Sequence, residues 1–119
     1  MELIPKPELL RYFDKKTYLN KVLLQIKRDF DMAACPFEIA NQEIEELDEL
    51  HRIVDNALEP LLKENGSRLK NLLYRIDVSE LSIYKEMAAN QDLQLALLLR
   101  SKIIERELLK ILIREKYSQ

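Results

Sequence analysis

Residues 92–117, DLQLALLLRSKIIERELLKILIREKY, decide the fold class of this chain. Leucine and isoleucine recur there at intervals of three and four positions, which is the spacing of one face of an α-helix. The stretch contains no proline or glycine, and Arg114 and Lys116 suit the negative end of a helix dipole. It therefore predicts a long helix whose apolar face must pack against other helices.

Three earlier segments repeat this periodicity and are separated by short connections. With the C-terminal segment they predict four helices, over residues 15–33, 42–64, 67–89 and 92–117. Helices joined by short connections pack as antiparallel neighbours. We therefore predict one all-α domain over residues 1–119, an up-down-up-down antiparallel four-helix bundle. Pro5 and Pro7 predict that residues 1–13 form an N-terminal arm.

The ends of the predicted helices carry residues that suit helix caps. Asp14, Asn41 and Ser67 are expected to cap the N-termini of the first three helices. Gly66 is expected in the left-handed conformation that ends the second helix. Pro60 removes one backbone hydrogen bond, so we expect a kink there.

The third predicted helix contains a possible interruption. Residues 77–80, DVSE, match a capping box, and a break near 77–79 would follow from it. The apolar positions on both sides stay in phase, however, with Ile76 before the motif and Ile83 after it. This phase favours a helix that is continuous or only kinked.

Composition limits the class of protein. Of 119 residues, 47% are hydrophobic and 34% are charged, which predicts a folded domain and not a disordered chain. The net charge of −2 gives no general attraction to nucleic acid or to an anionic membrane. The longest apolar run, Leu95 to Leu99, is too short to span a membrane.

The N-terminus and the single cysteine give information about the cellular location of the protein. The first residues lack the basic start and the apolar run of a secretory signal. Cys35 is the one cysteine, so no internal disulfide can form, and a lone thiol suits a reducing compartment. We therefore expect a cytoplasmic protein.

Three polar residues interrupt the apolar stripes. If the chain turns at residues 65–66, His51 and Glu80 lie equally far from the turn, at one level of the bundle. A second turn near Asn90 places Ser101 opposite Glu80. A buried acid or imidazole must be paired, so these residues predict either a hydrogen-bonded layer that fixes helix register or a catalytic or ligand site. The structural interpretation is favoured, because a site also needs a cleft and further groups.

Other chemistry finds little support in the sequence. One histidine and one cysteine do not match the ligand sets of zinc or di-iron sites, so we predict no metal and no cofactor. A single glycine excludes a glycine-rich phosphate loop, and no small-molecule ligand is predicted. Enzymatic activity is therefore the less favoured interpretation.

The last predicted helix has a second apolar face. Its members are Leu95, Leu98, Leu109 and Ile113. A helix that is apolar on several sides is either buried on all of them or binds something. Two alternatives stay open: the N-terminal arm, with Leu9, Leu10 and Phe13, covers this face, or the face is the interface of a homodimer or of another protein partner.

A nucleic-acid-associated protein is a further alternative. The basic residues of the third helix could contact phosphates. These residues are Arg68, Lys70, Arg75 and Lys85. They are spread around the helix and mixed with acids, so a solvated surface is the better interpretation.

Residues 65–80, NGSRLKNLLYRIDVSE, and the leucine-rich C-terminal helix resemble small all-helical proteins of Bacteroidetes-type bacteria. The resemblance extends over about half of the chain and includes no motif of known chemistry. It implies a bacterial, cytoplasmic protein and assigns no role to any residue. From the residues themselves, the function expected is that of a protein-interaction or structural module that self-associates.

Overall fold

The computed structural model describes residues 6–39, 42–64 and 66–117. Within these ranges every regular element is helical, so the prediction of an all-α chain is confirmed. The α-helices are α1 (Lys6–Leu10), α2 (Lys16–Met32), α3 (Leu47–Lys63), α4 (Ser67–Ile76), α5 (Glu80–Ala89) and α6 (Leu95–Tyr117). A short 3₁₀-helix, Arg11–Asp14, follows α1. No helix in the described part of the chain is long and apolar enough to cross a membrane.

Helices α2 and α6 form the most extensive helix pair of the structure. One face of α2 supplies Val22, Ile26 and Phe30, all inaccessible to solvent. Ile103 and Leu108 are the fully buried counterparts on α6. Burying side chains of this size stabilises a fold by about 1.5–3 kcal/mol each, which explains why the periodicity of these two segments predicts their structure well.

The N-terminal segment lies against α6. Leu9 of α1 and Phe13 of the 3₁₀-helix are buried, and α1 contacts α6 directly. Asp14, predicted as the N-cap of the first long helix, instead ends the 3₁₀-helix. Lys15 takes the N-cap position in an extended conformation and without a capping side-chain hydrogen bond. The predicted N-cap was therefore wrong, because the 3₁₀-helix continues through Asp14.

The second predicted helix begins later than its pattern suggests. α3 begins at Leu47, and Asn41, its predicted cap, lies outside the described residues. Ile44 is held in extended loop structure because its backbone N–H and C=O both bond the side-chain amide of Asn20, at 2.9 Å each. The carboxylate of Glu49 then accepts the backbone N–H of Glu46 and so supplies the capping interaction. Pro60 lies inside α3, which continues to Lys63.

The chain between α2 and α3 contributes to the core although it has no regular structure. Cys35, Phe37 and Ile44 are buried, and the ring of Phe37 packs on that of Phe30 at 4.8 Å between centroids. Ala34 has a φ of 58°, an uncommon value for a residue with a side chain, and it turns the chain after α2. This loop is therefore part of the packed interior.

The third predicted helix is two helices. α4 ends at Ile76, and Asp77 adopts a left-handed conformation with a φ of 72°. The backbone N–H groups of Asp77 and Val78 both bond the carbonyl of Leu73, as in a C-terminal helix cap. Ser79 then caps α5 by accepting the backbone N–H of Ser82 at 3.2 Å. The favoured prediction of a continuous or kinked helix was wrong, because these local hydrogen bonds outweigh the phase of the apolar residues.

The predictions for the start of α4 are confirmed only in part. Gly66 has a φ of 93°, so the left-handed conformation predicted for it is confirmed, but the C-cap of α3 is Glu64, in an extended conformation. Gly66 is also the N-cap of α4, whereas Ser67, the predicted cap, is the first residue of the helix. The last predicted helix starts slightly late, at Leu95, and extends to Tyr117, the last residue that the structure describes.

Candidate functional site

The three polar residues predicted to share a buried layer have different surroundings. Glu80 is the first residue of α5 and is exposed. His51 on α3 and Ser101 on α6 are half-buried. The predicted register assumed one uninterrupted helix before Glu80, and the break at Asp77 removes that condition. Glu80 therefore does not serve as a buried partner of His51.

His51 lies among other charges. Burial lowers the pKa of its imidazole, and the nearby guanidinium of Arg100 lowers it further, against the opposing effects of Asp48 and Asp55. Arg100 is itself paired with Asp55 at 2.8 Å. The lowered pKa favours the neutral form of the His51 imidazole, which lies beside the ion pair of Arg100 and Asp55.

The residues predicted to form a second apolar face are covered to different degrees. Leu98 is buried in the core of its own chain, and Leu109 and Ile113 are half-buried. Leu95 keeps 40% of its surface exposed. Only the N-terminal end of α6 therefore offers a strongly exposed part of this face to another molecule.

Leu95 belongs to a groove between α4, α5 and the beginning of α6. The groove has a volume of about 280 Å³. Its walls are mainly apolar and include Leu69, Leu73, Ile83, Leu95 and Leu99. We call this site the α4–α5–α6 groove.

Polar and amphipathic side chains border the groove. Lys70 of α4 and Glu80 of α5 place opposite charges along it, and Tyr84 of α5 adds an aromatic ring. Tyr84 and Leu81, which lie three positions apart on α5, are 68% and 61% exposed. The apolar surface of the groove thus continues onto the outer side of α5.

The break before α5 explains why apolar residues are exposed here. α5 is a helix of only ten residues, and Ile83 is its one buried side chain. With Ile83 facing the core, Leu81 and Tyr84 lie on the outward side. A short helix with apolar residues on both sides cannot bury them all within one chain.

A second groove, between α2 and α6, is basic. Lys21, Arg28 and Arg114 border a space of about 260 Å³. Lys21 and the hydroxyl of Tyr18 both donate to the carboxylate of Glu115, at 2.6 and 2.8 Å. Because intramolecular bonds engage these groups, the groove is less cationic than its residue content suggests.

The described residues contain no group of three or more His, Cys, Asp and Glu side chains placed to hold a metal ion. The carboxylates that do come together are Asp29 of α2 and Glu107 of α6, which lie inside the seam between these helices. Asp29 is 5% exposed and Glu107 is fully buried. Lys110 approaches both of them, with its Nζ 3.1 Å from Oδ2 of Asp29 and 2.5 Å from Oε1 of Glu107.

The two acids have opposite pKa shifts. Burial, together with the neighbouring Asp29, raises the pKa of Glu107 to about 8. Burial would also raise the pKa of Asp29, but hydrogen bonds with Glu107 and Lys110 lower it below its ordinary value. The pair therefore favours one negative charge, on Asp29, and one proton, on Glu107.

Sequence reasoning missed this acid pair, although the same kind of signal led to His51 and Glu80. Glu107 lies three positions after Ile104 and four before Ile111, within the apolar stripe of α6. Asp29 lies three positions after Ile26 in the stripe of α2. An acid at a core position in each of two helices could have suggested that they meet, but only the packing of α2 on α6 shows it.

No family model, curated protein or solved structure matches this chain. Its function has to be argued from its own geometry. Of the features described, the α4–α5–α6 groove is mainly apolar and open to other molecules, the α2–α6 groove is basic and open, and the Asp29–Glu107 pair is closed to them.

Proposed function

We propose that this chain is a small helical interaction module that forms a homodimer through the α4–α5–α6 groove and the outer side of α5. The observation that carries the proposal is the exposure of Tyr84 and Leu95 in the walls of one groove, together with the exposure of Leu81 three positions before Tyr84 on α5. Exposed apolar residues scattered singly are ordinary, but a contiguous set around a concave surface is typical of an interface.

The charges beside the groove favour a second copy as the partner. A twofold interface places the same surface against itself, so each charge must meet its opposite when the surface is rotated. Lys70 on α4 and Glu80 on α5 provide one base and one acid beside the same apolar walls. Within the described part of the chain neither residue is held in an ion pair that dimerisation would have to break, so Lys70 of one copy can face Glu80 of the other.

The proposed interface differs in its residues from the interface predicted from the sequence. Leu95 remains in it, whereas Leu98 is buried in its own chain and Leu109 and Ile113 are half-buried. α5 supplies the residues that replace them. Within the proposed protomer, α4 and α5 together take the third place of an up-down-up-down four-helix arrangement, and α1 is its N-terminal arm.

We also propose that the protein is located in the cytoplasm. Cys35 is a free, buried thiol, and burial raises its pKa, so little reactive thiolate forms at neutral pH. Such a residue persists in a reducing compartment without a disulfide partner.

Sedimentation equilibrium over a wide concentration range tests the homodimer. We expect the wild-type chain to reach twice its monomer mass of 14.1 kDa. Leu81→Glu places a charge in the proposed interface and should weaken association by at least about tenfold, which corresponds to about 1.4 kcal/mol. Its folding should be unaffected, because Leu81 is 61% exposed.

Leu24→Glu is the matched control, since Leu24 on α2 is also a leucine that is 61% exposed. It should leave the association constant unchanged. A wild-type chain that stays monomeric at every concentration, or a Leu24→Glu variant that weakens association as much as Leu81→Glu, would contradict the proposed interface.

A further inference from the structure

Glu107 is the least accessible ionisable group in the described part of the chain, with no exposed surface. As a carboxylate, Glu107 has no donor in hydrogen-bond geometry with either of its oxygens. An unpartnered buried carboxylate costs several kcal/mol in a protein interior. The structure must therefore supply either a matching positive charge or a proton.

The positive charges around the acid pair come from two helices. Lys110, on α6 itself, lies within 3.1 Å of both Asp29 and Glu107. Arg75 of α4 approaches Asp29 from the outer side, with its Nε 3.6 Å from Oδ1. The remaining polar neighbour is Gln25 of α2, whose amide donates to Oδ2 of Asp29 at 3.4 Å.

The charged and polar groups around the pair make more contacts with Asp29 than with Glu107. Asp29 receives the ammonium, the guanidinium and the amide, whereas Glu107 has only the ammonium that it shares. Lys110 also lies close to Glu107 without the direction of a hydrogen bond, since the carboxyl oxygens of Glu107 remain unpartnered. A neighbouring carboxylate such as Asp29 can only accept, so it cannot satisfy an ionised Glu107.

We propose that Asp29 and Glu107 form a proton-binding site within the α2–α6 seam, in which Glu107 holds the proton and donates it in a hydrogen bond to the carboxylate of Asp29. The proton changes Glu107 from an unpartnered acceptor into a donor. It also leaves the two-acid cluster with one negative charge, on Asp29, which Lys110 and Arg75 approach at 3.1 and 3.6 Å. The upward shift of the pKa of Glu107 agrees with this arrangement.

Loss of the proton changes the seam. The O–H bond of Glu107 breaks, the proton passes to water or a buffer base, and two carboxylates then face each other with one shared ammonium. The two carboxylates repel each other. Because they lie between α2 and α6, the most extensive helix pair of the structure, this repulsion makes the packing of the two helices depend on pH. The inference does not depend on dimerisation, since neither acid belongs to the α4–α5–α6 groove.

Carbon-13 NMR of the glutamate side-chain carboxyls in the full chain tests the site. Through-bond assignment identifies Glu107 without a variant. We expect its carboxyl carbon to titrate near pH 8, far above the ordinary range for glutamate. A Glu107 signal that titrates together with the exposed glutamates would overturn the proposal.

Glu107→Gln supplies the second test, because the amide keeps a donor for Asp29 and cannot ionise. Between pH 7 and 8 the wild-type unfolding equilibrium constant should rise severalfold, and in Glu107→Gln this rise should disappear. Glu38→Gln is the matched control and should behave like the wild type. A wild-type slope that persists in Glu107→Gln would overturn the assignment, and if that variant does not fold, the NMR titration decides alone.

Discussion

At the scale of single residues, an acid occupies a core position in each of the two helices that make the main seam. Glu107 replaces the apolar side chain that the stripe of α6 would otherwise have, and Asp29 does so in α2. A pair of this kind is weak support for stability, because apolar residues of the same volume often stabilise as much or more. What it adds is dependence on the proton concentration.

The stability of the fold should therefore fall between pH 7 and 8. The folded chain holds a proton on Glu107 that the unfolded chain has already lost, because the pKa is 4.5 in the ordinary state and about 8 in the fold. The free energy of unfolding then decreases with pH, by at most about 1.4 kcal/mol per pH unit, and levels off above pH 8. Urea unfolding at closely spaced pH values measures this.

Two other groups restrict the useful window. The pKa of His51 is lowered in the fold, so its contribution to stability rises with pH and is complete above its ordinary pKa of 6.5. The pKa of Asp29 is also lowered, and its contribution is present above its ordinary pKa of 3.8 and is lost as the pH falls through the folded value. Above pH 7 neither group titrates, so a flat profile from pH 7 to 8 would speak against a protonated Glu107.

At the scale of elements, local hydrogen bonds decide where helices begin and end. The break between α4 and α5 is held by Asp77 in the left-handed conformation, by the cap of Ser79, and by Arg106 of α6, which binds Asp77 at 2.8 Å. This break turns Leu81 and Tyr84 outward. The exposed apolar surface thus originates in a few polar contacts.

Ser79→Ala should destabilise the fold by about 1 kcal/mol, because it removes the side-chain acceptor for the backbone N–H of Ser82. Ser67→Ala is the matched control: Ser67 lies at the start of α4, but Gly66 occupies the N-cap position there. Its effect should be much smaller. Equal losses for both serines, measured by urea unfolding at one pH, would show that Ser79 is not the cap that divides α4 from α5.

Asn20→Ala should release the loop between α2 and α3. The side-chain amide of Asn20 makes two hydrogen bonds with the backbone of Ile44, so its removal leaves a donor and an acceptor unpaired and should cost about 1–3 kcal/mol. Hydrogen exchange at the amide of Ile44 should accelerate more than exchange in α6. Asn71→Ala, at an exposed asparagine of α4, is the control, and similar exchange at Ile44 in the two variants would contradict this role.

These elements show what periodicity can predict. The spacing of apolar residues identified α2, most of α3 and α6, because their stability comes from one continuous buried face. It did not identify the loop through Cys35, Phe37 and Ile44, which is buried without any period. The start of α3 depends on the distant Asn20, and such a contact leaves no local signal in the sequence.

The predictions for the site divide in the same way. A second apolar face was expected on the last helix, covered either by the N-terminal arm or by a partner; Leu95 keeps part of it exposed, but the more exposed residues, Leu81 and Tyr84, are on α5. They could not be placed while the third helix was taken as continuous. The polar layer of His51, Glu80 and Ser101 depended on that same continuity, and Glu80 is exposed as a consequence of the break.

At the scale of the whole molecule, the two surface grooves differ in their charge and in the composition of their walls. The basic groove between α2 and α6 is partly neutralised by Glu115. The α4–α5–α6 groove has apolar walls, charges of both signs and an exposed helix beside it. A second copy docked on this groove would remove its apolar walls from water, and removal of apolar area drives association.

Isotope-filtered NOE spectroscopy on an equal mixture of carbon-13-labelled and unlabelled chains tests this association most directly, because it detects contacts between copies only. We expect intermolecular contacts from the Leu81 methyl groups to the Tyr84 ring and to Leu95, and none from Leu24. Intermolecular contacts confined to Leu24 or to other surfaces would contradict self-association through the groove. So would the complete absence of intermolecular contacts at a chain concentration of about 1 mM, which is well above a micromolar dissociation constant.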